Sequence, residues 1–137
     1  MREFELTEGD RKLIQSARDI IRKRYREHWH SVGSALRTAD GEVFVSVHID
    51  ANVGRIAVCA EPIALANAVL AGKNSFDTIV AVQRVSRDID EYEIVSPCGM
   101  CREIITDYDP GTKVIIKVDG NVRKVLMMDL LPYKYGI

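Results

Sequence analysis

The chain lacks the long apolar segment that a membrane-spanning helix requires. None of its apolar runs approaches the roughly 20 consecutive residues needed to cross a bilayer. The segment Met1–Asp10 is charged and lacks the apolar stretch of a secretory signal. We therefore expect an intracellular, cytoplasmic protein.

The chain also lacks an excess of charge of either sign. Its 137 residues include 19 basic and 20 acidic ones, which gives a net charge of −1. Proteins that follow a nucleic-acid backbone or an anionic membrane usually carry a strongly basic surface. Because this balance supplies none, we expect a small-molecule partner, no nucleic acid and no membrane. Hydrophobic residues make up 47% of the chain, which favours a single globular domain over residues 1–137.

Apolar spacing and turn residues predict alternating helices and strands. Thr7 and Asp10 form a capping-box pattern at the first helix, and Gly72 is typical of a helix C-terminus. The predicted helices are Glu8–Tyr25, Val58–Ala71 and about Cys98–Tyr108, with a helical turn from about Met128; the predicted strands are Val32–Thr38, Glu42–His48, Thr78–Gln83, Glu93–Val95 and Val114–Val118, and a polar loop covers Arg84–Glu91. This order indicates an α/β protein, a three-layer α/β/α fold around a mixed, about five-stranded sheet.

Cysteine is scarce, and its three occurrences fall in two short segments. These are Cys59-Ala60-Glu61 and Pro97-Cys98-Gly99-Met100-Cys101, each at the predicted start of a helix. An odd number of cysteines argues against a complete disulfide framework, and cysteines of a reducing compartment more often bind metals or react. Helix starts also favour thiolates, the form that binds zinc.

The spacing of these residues predicts a catalytic zinc site. Cys98 and Cys101 are three residues apart, so one helical turn directs both sulfurs the same way, and Cys59 would supply a third ligand. Three protein ligands leave one tetrahedral position open for water, which is typical of catalytic zinc. If Cys59 lies at the helix cap, Glu61 can face the metal and move protons there. The alternatives are a redox pair or a structural zinc fragment formed by Cys98 and Cys101, with Cys59 merely buried.

These segments resemble the cytidine deaminase superfamily, in particular its small homotetrameric cytidine deaminase and blasticidin S deaminase-like branch. The C-x-E and P-C-x-x-C pair is the signature of that superfamily. Further matching segments appear in family order over nearly the whole chain: Val32–Leu36, Asp40-Gly41, Cys59–Glu61, Ser96–Arg102 and Leu130–Pro132.

The resemblance implies an enzyme with one Zn²⁺ per chain, held by Cys59, Cys98 and Cys101. Glu61 would deprotonate the attacking water and return the proton to the ring nitrogen and the leaving group, so that ammonia departs. The backbone at Ala60 would hold the substrate ring. The resemblance also implies a homotetramer whose active sites are completed across subunit borders.

The chain departs from the family pattern where the sugar would be recognised. Cytidine deaminases usually carry Asn-x-Glu on the second strand, whereas this chain has His48 and Asp50. The position at which the family often stacks Phe on the pyrimidine corresponds to His30. His48 and Asp50 could contact substrate or only form the end of the strand, and His30 could stack on the substrate ring or only pack against its neighbours.

Two further positions bear on the branch of the family. Pro62 follows Glu61, whereas the family often has an Arg at that position that offsets the charge of the thiolates. Arg102 or Arg55 could replace that Arg, and Arg102 could do so by a hydrogen bond to a sulfur. Tyr135 occupies the position of an aromatic residue that lies near the active site in small tetrameric deaminases. Both features favour the blasticidin S deaminase branch.

We therefore predict hydrolytic deamination of a cytidine-like aminopyrimidine nucleoside, such as cytidine, deoxycytidine or blasticidin S. One alternative is a deaminase of a different aminated heterocycle, recognised by His48, Asp50 and His30. A deaminase of polynucleotides fits the neutral charge balance less well. The non-enzymatic alternative is a zinc-stabilised binding domain. The carboxylate of Glu61 favours an enzyme over this alternative, because a structural zinc site has no use for a carboxylate at an open coordination position.

Overall fold

A computed structural model describes residues 1–136 and contains three helices and seven strands within them. The helices are α1 (Glu8–Arg24), α2 (Ala60–Leu70) and α3 (Gly99–Tyr108). The strands are β1 (Glu3–Phe4), β2 (Val32–Thr38), β3 (Val43–Val47), β4 (Phe76–Ser86), β5 (Ile89–Val95), β6 (Lys113–Val118) and β7 (Asn121–Leu126), with short 3₁₀ turns at Gly54–Ile56 and Met127–Leu130. Among these residues, no helix combines the length and hydrophobicity needed to cross a membrane.

The strands form one mixed sheet, and helices cover both of its faces. The strand order is β1-β7-β6-β4-β2-β3, and β5 pairs with the second half of β4. The pair β4–β6 is parallel, and the other pairs are antiparallel. Since α1 packs on one face while α2 packs on the other beside α3, the predicted three-layer α/β/α class is confirmed. The sheet has seven strands rather than about five.

Strand alternation divides the core between the two faces. Leu36 and Ile79 point towards α2 and α3, whereas their neighbours Ala35 and Val80 point towards α1. A close approach of α1 to β2 depends on Gly33, because a Cβ at that position would lie 2.6 Å from the carbonyl oxygen of Ala17. The sheet is thereby buried on both faces, and the ends of α2 and α3 are fixed over it.

The predicted capping box begins α1, and it is tied to a buried charge cluster. Thr7 and Asp10 exchange hydrogen bonds between side chain and backbone N–H at 2.9 and 3.1 Å. The Asp10 carboxylate also accepts from Arg37 and Lys124, each at 2.8 Å. Burial opposes ionisation of Asp10, but these hydrogen bonds outweigh it and lower its pKa to about 2. The cluster fastens α1 to β2 and β7.

The predicted polar loop over Arg84–Glu91 is wrong, because that segment belongs to a hairpin. Strand β4 continues to Ser86, and β5 returns from Ile89 with Arg84 opposite Tyr92. The segment is polar because much of it is solvent-exposed, and Arg84 is supported by long-range stacking on Tyr25. Strands β1 and β7 were not predicted either. In β7 the polar pattern is explained by Lys124, whose charge is neutralised by Asp10.

Candidate functional site

Both cysteine segments lie at helix starts, as the sequence indicates. Cys59 is the N-cap of α2, with extended dihedral angles of φ −60° and ψ 157°. Cys98 is the N-cap of α3, with φ −70° and ψ 169°, and Cys101 lies buried in the first turn. Pro62 is accommodated in the first turn of α2, where its missing N–H has no helical acceptor. The two helices thereby present three sulfurs to one point.

The three sulfur atoms have the spacing of a metal site. The Sγ atom of Cys98 lies 3.5 Å from that of Cys59 and 3.5 Å from that of Cys101. All three Sγ atoms lie within 4.8 Å of one another. Tetrahedral zinc binds thiolates at about 2.3 Å, which requires sulfurs about 3.8 Å apart. The cluster therefore fits one zinc ion with a fourth coordination position left open.

The electrostatic environment of the cluster favours a bound cation. Burial raises the pKa of Cys59, and burial together with the charge of Glu61 raises that of Cys101 far above its usual value. Burial would also raise the pKa of Cys98, but hydrogen bonds from the N–H of Cys101, from the thiols of Cys101 and Cys59 and from the N–H of Met100 together outweigh it and lower that pKa. A cation supplies the charge that lets all three ionise.

Glu61 lies beside these sulfurs with its side chain buried. The residue is 5% exposed and occupies the first turn of α2, while Cys59 precedes the helix. Burial raises the pKa of Glu61, whereas hydrogen bonds from its own N–H and from the Cys101 thiol lower it in part. Because Cys59 lies outside helical geometry, both side chains reach the same cluster despite their spacing of two residues.

A cavity of about 230 Å³ opens beside the cluster. Its lining residues include Cys59, Ala60, Glu61 and Cys98, which we call the sulfur end, and His48, which we call the histidine end. Much of the remaining lining is apolar and includes Val32, Ala57, Val58 and Val95. Apolar walls with a few polar groups are typical of a site that binds a small heterocycle.

The histidine end of the cavity is organised by backbone contacts. Nδ1 of His48 accepts hydrogen bonds from the N–H groups of Ser31 and Val32, each at 3.2 Å. A neutral His48 therefore carries its proton on Nε2. That Nε2 lies 4.0 Å from Oδ2 of Asp50, while Oδ1 of Asp50 accepts from the N–H of Ala51 at 2.7 Å.

His30 lies behind this end and is not among the residues that line the cavity. Its Nδ1 lies 2.9 Å from the carbonyl oxygen of His48, so Nδ1 carries the proton that is donated there. Its ring packs edge-on against those of His48 and Trp29. In this arrangement His30 supports His48, and the contact predicted between His30 and substrate stays a prediction.

Arg102 contacts oxygen atoms rather than sulfur. It donates from Nε to the Pro97 carbonyl at 2.8 Å, from Nη1 to the Leu130 carbonyl at 2.9 Å, and from Nη2 to the Ser96 hydroxyl at 3.3 Å. It thus fastens the segment that precedes Cys98 to the turn after β7. Arg55 is exposed in the 3₁₀ turn that precedes Cys59.

The sequence analysis did not identify two features of this site. Ser46 donates a hydrogen bond to the carbonyl of Ala60 at the start of α2, and the N–H groups of Ser31 and Val32 orient His48. A serine at an inward-facing position of a predicted strand is a signal that could have indicated the first. No sequence signal indicates a backbone contact such as the second.

A family model for the cytidine and deoxycytidylate deaminase zinc-binding region matches residues 7–117. The blasticidin-S deaminase of Bacillus cereus is 44% identical in an alignment that covers 98% of each chain. A probable cytidine deaminase of Dictyostelium discoideum is 32% identical and covers 88% of this chain and 80% of its own. The crystal structure of cytidine deaminase from Burkholderia pseudomallei matches with a TM-score of 0.74 and 30% identity, over 91% of this chain and 98% of that one.

The fold and the cysteine cluster thus define a zinc-dependent hydrolytic deaminase of a small pyrimidine compound. The chain belongs to the cytidine and deoxycytidylate deaminase family.

Proposed function

We propose that this enzyme removes the exocyclic amine from the cytosine ring of a nucleoside, with Glu61 as the proton carrier. The observation that supports this most strongly is the convergence of three sulfurs within 4.8 Å of one another beside a 5% exposed carboxylate. A merely structural zinc site would use four protein ligands and would have no use for that carboxylate. Cys59, Cys98 and Cys101 would hold the metal.

The residues of this chain then divide the reaction between them. A zinc ion held there would supply a water molecule whose pKa falls from 15.7 towards ~7. Glu61 would take one proton from that water as its oxygen bonds to the ring carbon that bears the amine, and would give this proton to the ring nitrogen. Glu61 would then carry the second proton from the new hydroxyl group to the amine, so that the C–N bond breaks, ammonia leaves and the hydroxyl becomes a carbonyl. The backbone at Ala60 holds the ring, and the apolar walls align it.

His48 and Asp50 are proposed to recognise the sugar part of the substrate. The 4.0 Å between Nε2 of His48 and Oδ2 of Asp50 is too long for a direct hydrogen bond. A hydroxyl oxygen between them can accept from Nε2–H and donate to Oδ2. The roles proposed for His30 and Arg102 are indirect ones, supporting His48 and the segment before Cys98.

The substrate test follows ammonia release and the loss of cytosine absorbance. Cytidine, deoxycytidine, cytosine and blasticidin S form the panel, with other amino-heterocycles added. Turnover of cytidine or blasticidin S, lowered about 10²- to 10⁴-fold in Glu61→Gln, is the expected result. Release only from a different ring would overturn the cytosine assignment, and silence with all compounds in a zinc-loaded protein would overturn the activity. The 44% identity to a blasticidin-S deaminase makes that nucleoside the first to test.

We further propose that the enzyme is a cytoplasmic homotetramer. Tyr133 and Tyr135 are 104% and 91% exposed, while Lys134 between them is only 6% exposed and pairs with Glu103 and Asp107 on α3. This reverses the usual burial of tyrosine and lysine and suits a tail that contacts a neighbouring subunit, with Tyr135 reaching its active site. Three thiols that must remain free suit a reducing compartment.

Analytical ultracentrifugation at several protein concentrations tests the assembly. We expect a single species of four chains, and Tyr135→Ala should raise KM if the tyrosine completes a neighbouring site. A stable monomer with full activity would contradict the proposal.

A further inference from the structure

Ser46 is a buried serine that contacts the first turn of α2 from the sheet. It is 6% exposed, and its hydroxyl donates to the carbonyl oxygen of Ala60 at 2.5 Å. Ala60 is the first residue of α2 and lies between Cys59 and Glu61. Ser46 therefore holds the short segment that carries a metal ligand and the proton carrier.

The start of α2 has no side-chain cap. Its N-cap residue, Cys59, makes no side-chain cap hydrogen bond, whereas α1 begins with a complete capping box. Ser46 does not replace that cap, because its hydroxyl donates to a carbonyl and leaves the free N–H groups of the first turn without an acceptor. It instead ties the first residue of the helix to β3 by a hydrogen bond from a side chain.

The same strand also sets the position of the histidine end. Alternation along β3 and its extension places Phe44, Ser46 and His48 on one face. Phe44 packs against the core under α2, Ser46 bonds Ala60, and His48 lines the cavity. One strand and its extension thus contact the start of α2 through Ser46 and line the cavity through His48.

We propose that Ser46 is a positioning residue that fixes the Cys59–Glu61 turn relative to the substrate-recognition end of the cavity. The inference rests on the proposed function for its kinetic consequence. Its structural consequence, the placement of Cys59, does not require turnover. Because a displacement of about 1 Å can cost about 100-fold in rate, loss of one hydrogen bond at this turn should lower kcat.

Ser34 provides a matched control. It lies directly opposite Ser46 in the β2–β3 pair and is also buried. Its hydroxyl also donates to a backbone carbonyl, but that carbonyl belongs to Val80 in the sheet, at 2.8 Å. Ser46→Ala and Ser34→Ala therefore remove the same group from neighbouring buried positions, and only the first frees α2.

The kinetic test compares these variants as zinc-loaded full chains. We expect Ser46→Ala to lower kcat by about 10- to 100-fold with little change in KM, while Ser34→Ala lowers the melting temperature to a similar extent but leaves kcat unchanged. Threonine and valine have nearly the same shape, so Ser46→Thr and Ser46→Val separate the effect of the hydroxyl group from that of side-chain size. We expect the threonine variant to keep its activity and the valine variant to lose it. Equal kcat values for Ser46→Ala and Ser34→Ala, or for the threonine and valine variants, would overturn the proposal.

A second readout does not depend on substrate. The rate at which zinc passes to a coloured chelator should rise several-fold in Ser46→Ala and Ser46→Val and remain at the wild-type value in Ser34→Ala and Ser46→Thr. If the wild type deaminates nothing but these rates differ as expected, the proposed function fails and the role of Ser46 stands. Unchanged rates of zinc loss would overturn that role even in an active enzyme.

Discussion

The sulfur end and the histidine end of the cavity are built in different ways. At the sulfur end, the three cysteine thiols and the carboxylate of Glu61 lie in or directly before the first turns of α2 and α3, within two short segments. At the histidine end, His48 is oriented by the N–H groups of Ser31 and Val32, which lie 17 and 16 residues away. The first arrangement is local and follows a motif, whereas the second depends on pairing between strands. Under the proposed function, the chemistry therefore depends on two short segments, whereas substrate recognition depends on residues at the end of one strand.

Removal of the metal acts on the sulfur end alone. It should nevertheless produce the largest effect, because the proposed reaction needs the water that the metal would supply. Dialysis against a chelator is expected to abolish turnover and lower the melting temperature, since a ligand that binds only the folded state stabilises it. Activity and metal content, measured by emission spectroscopy, should return together on adding one zinc per chain. Full turnover by a metal-free protein would contradict the assignment of the cluster.

Glu61→Gln separates proton transfer from metal binding at the same end. General acid–base catalysis contributes about 10²- to 10⁴-fold, and we expect kcat to fall by that factor. Zinc content and melting temperature should stay close to wild type, because glutamine keeps the size of the buried side chain. A variant with more than about one tenth of wild-type kcat would remove Glu61 from the role of proton carrier.

His48→Phe is the corresponding change at the histidine end. It would remove the hydrogen bond that we propose between His48 and the substrate, worth about 1–3 kcal/mol, so KM should rise by about 5- to 150-fold. The fall in kcat should be smaller, in contrast to Glu61→Gln. His48→Gln, which can still accept and donate, is the control and should recover part of the loss. A drop confined to kcat would place His48 in the chemistry and erase the distinction between the two ends.

The same contrast between local and distant contacts explains what the sequence predicts. The starts of α2 and α3 were predicted because Pro97 and the cysteines mark them locally, and Gly72 likewise marks the end of α2. Strand β7 and the Arg84–Glu91 part of the β4–β5 hairpin were missed because their polar residues are compensated from far away. Lys124 is paired with Asp10, 114 residues distant along the chain, and Arg84 stacks on Tyr25. Polar residues of this kind indicate a loop until their partners are known.

The smallest predicted effect is a pH dependence of stability that originates at the histidine end. Burial lowers the pKa of His48 below its usual 6.5, with His30 acting in the same direction and Asp50 against it. Above pH 6.5 the residue is neutral in both the folded and the unfolded chain, so it contributes no pH dependence. As the pH falls through 6.5, the unfolded chain takes up a proton that the folded chain resists, and the free energy of unfolding decreases until the lower folded pKa is reached.

Urea unfolding of the wild type and His48→Gln between about pH 5 and pH 8 isolates this contribution. The wild type should lose stability on acidification relative to the variant, because only the wild type protonates at this position. Parallel stability curves would mean that the contacts from Ser31 and Val32 do not hold His48 in its neutral form. The assignment of a fixed N–H donor at Nε2 would then be wrong.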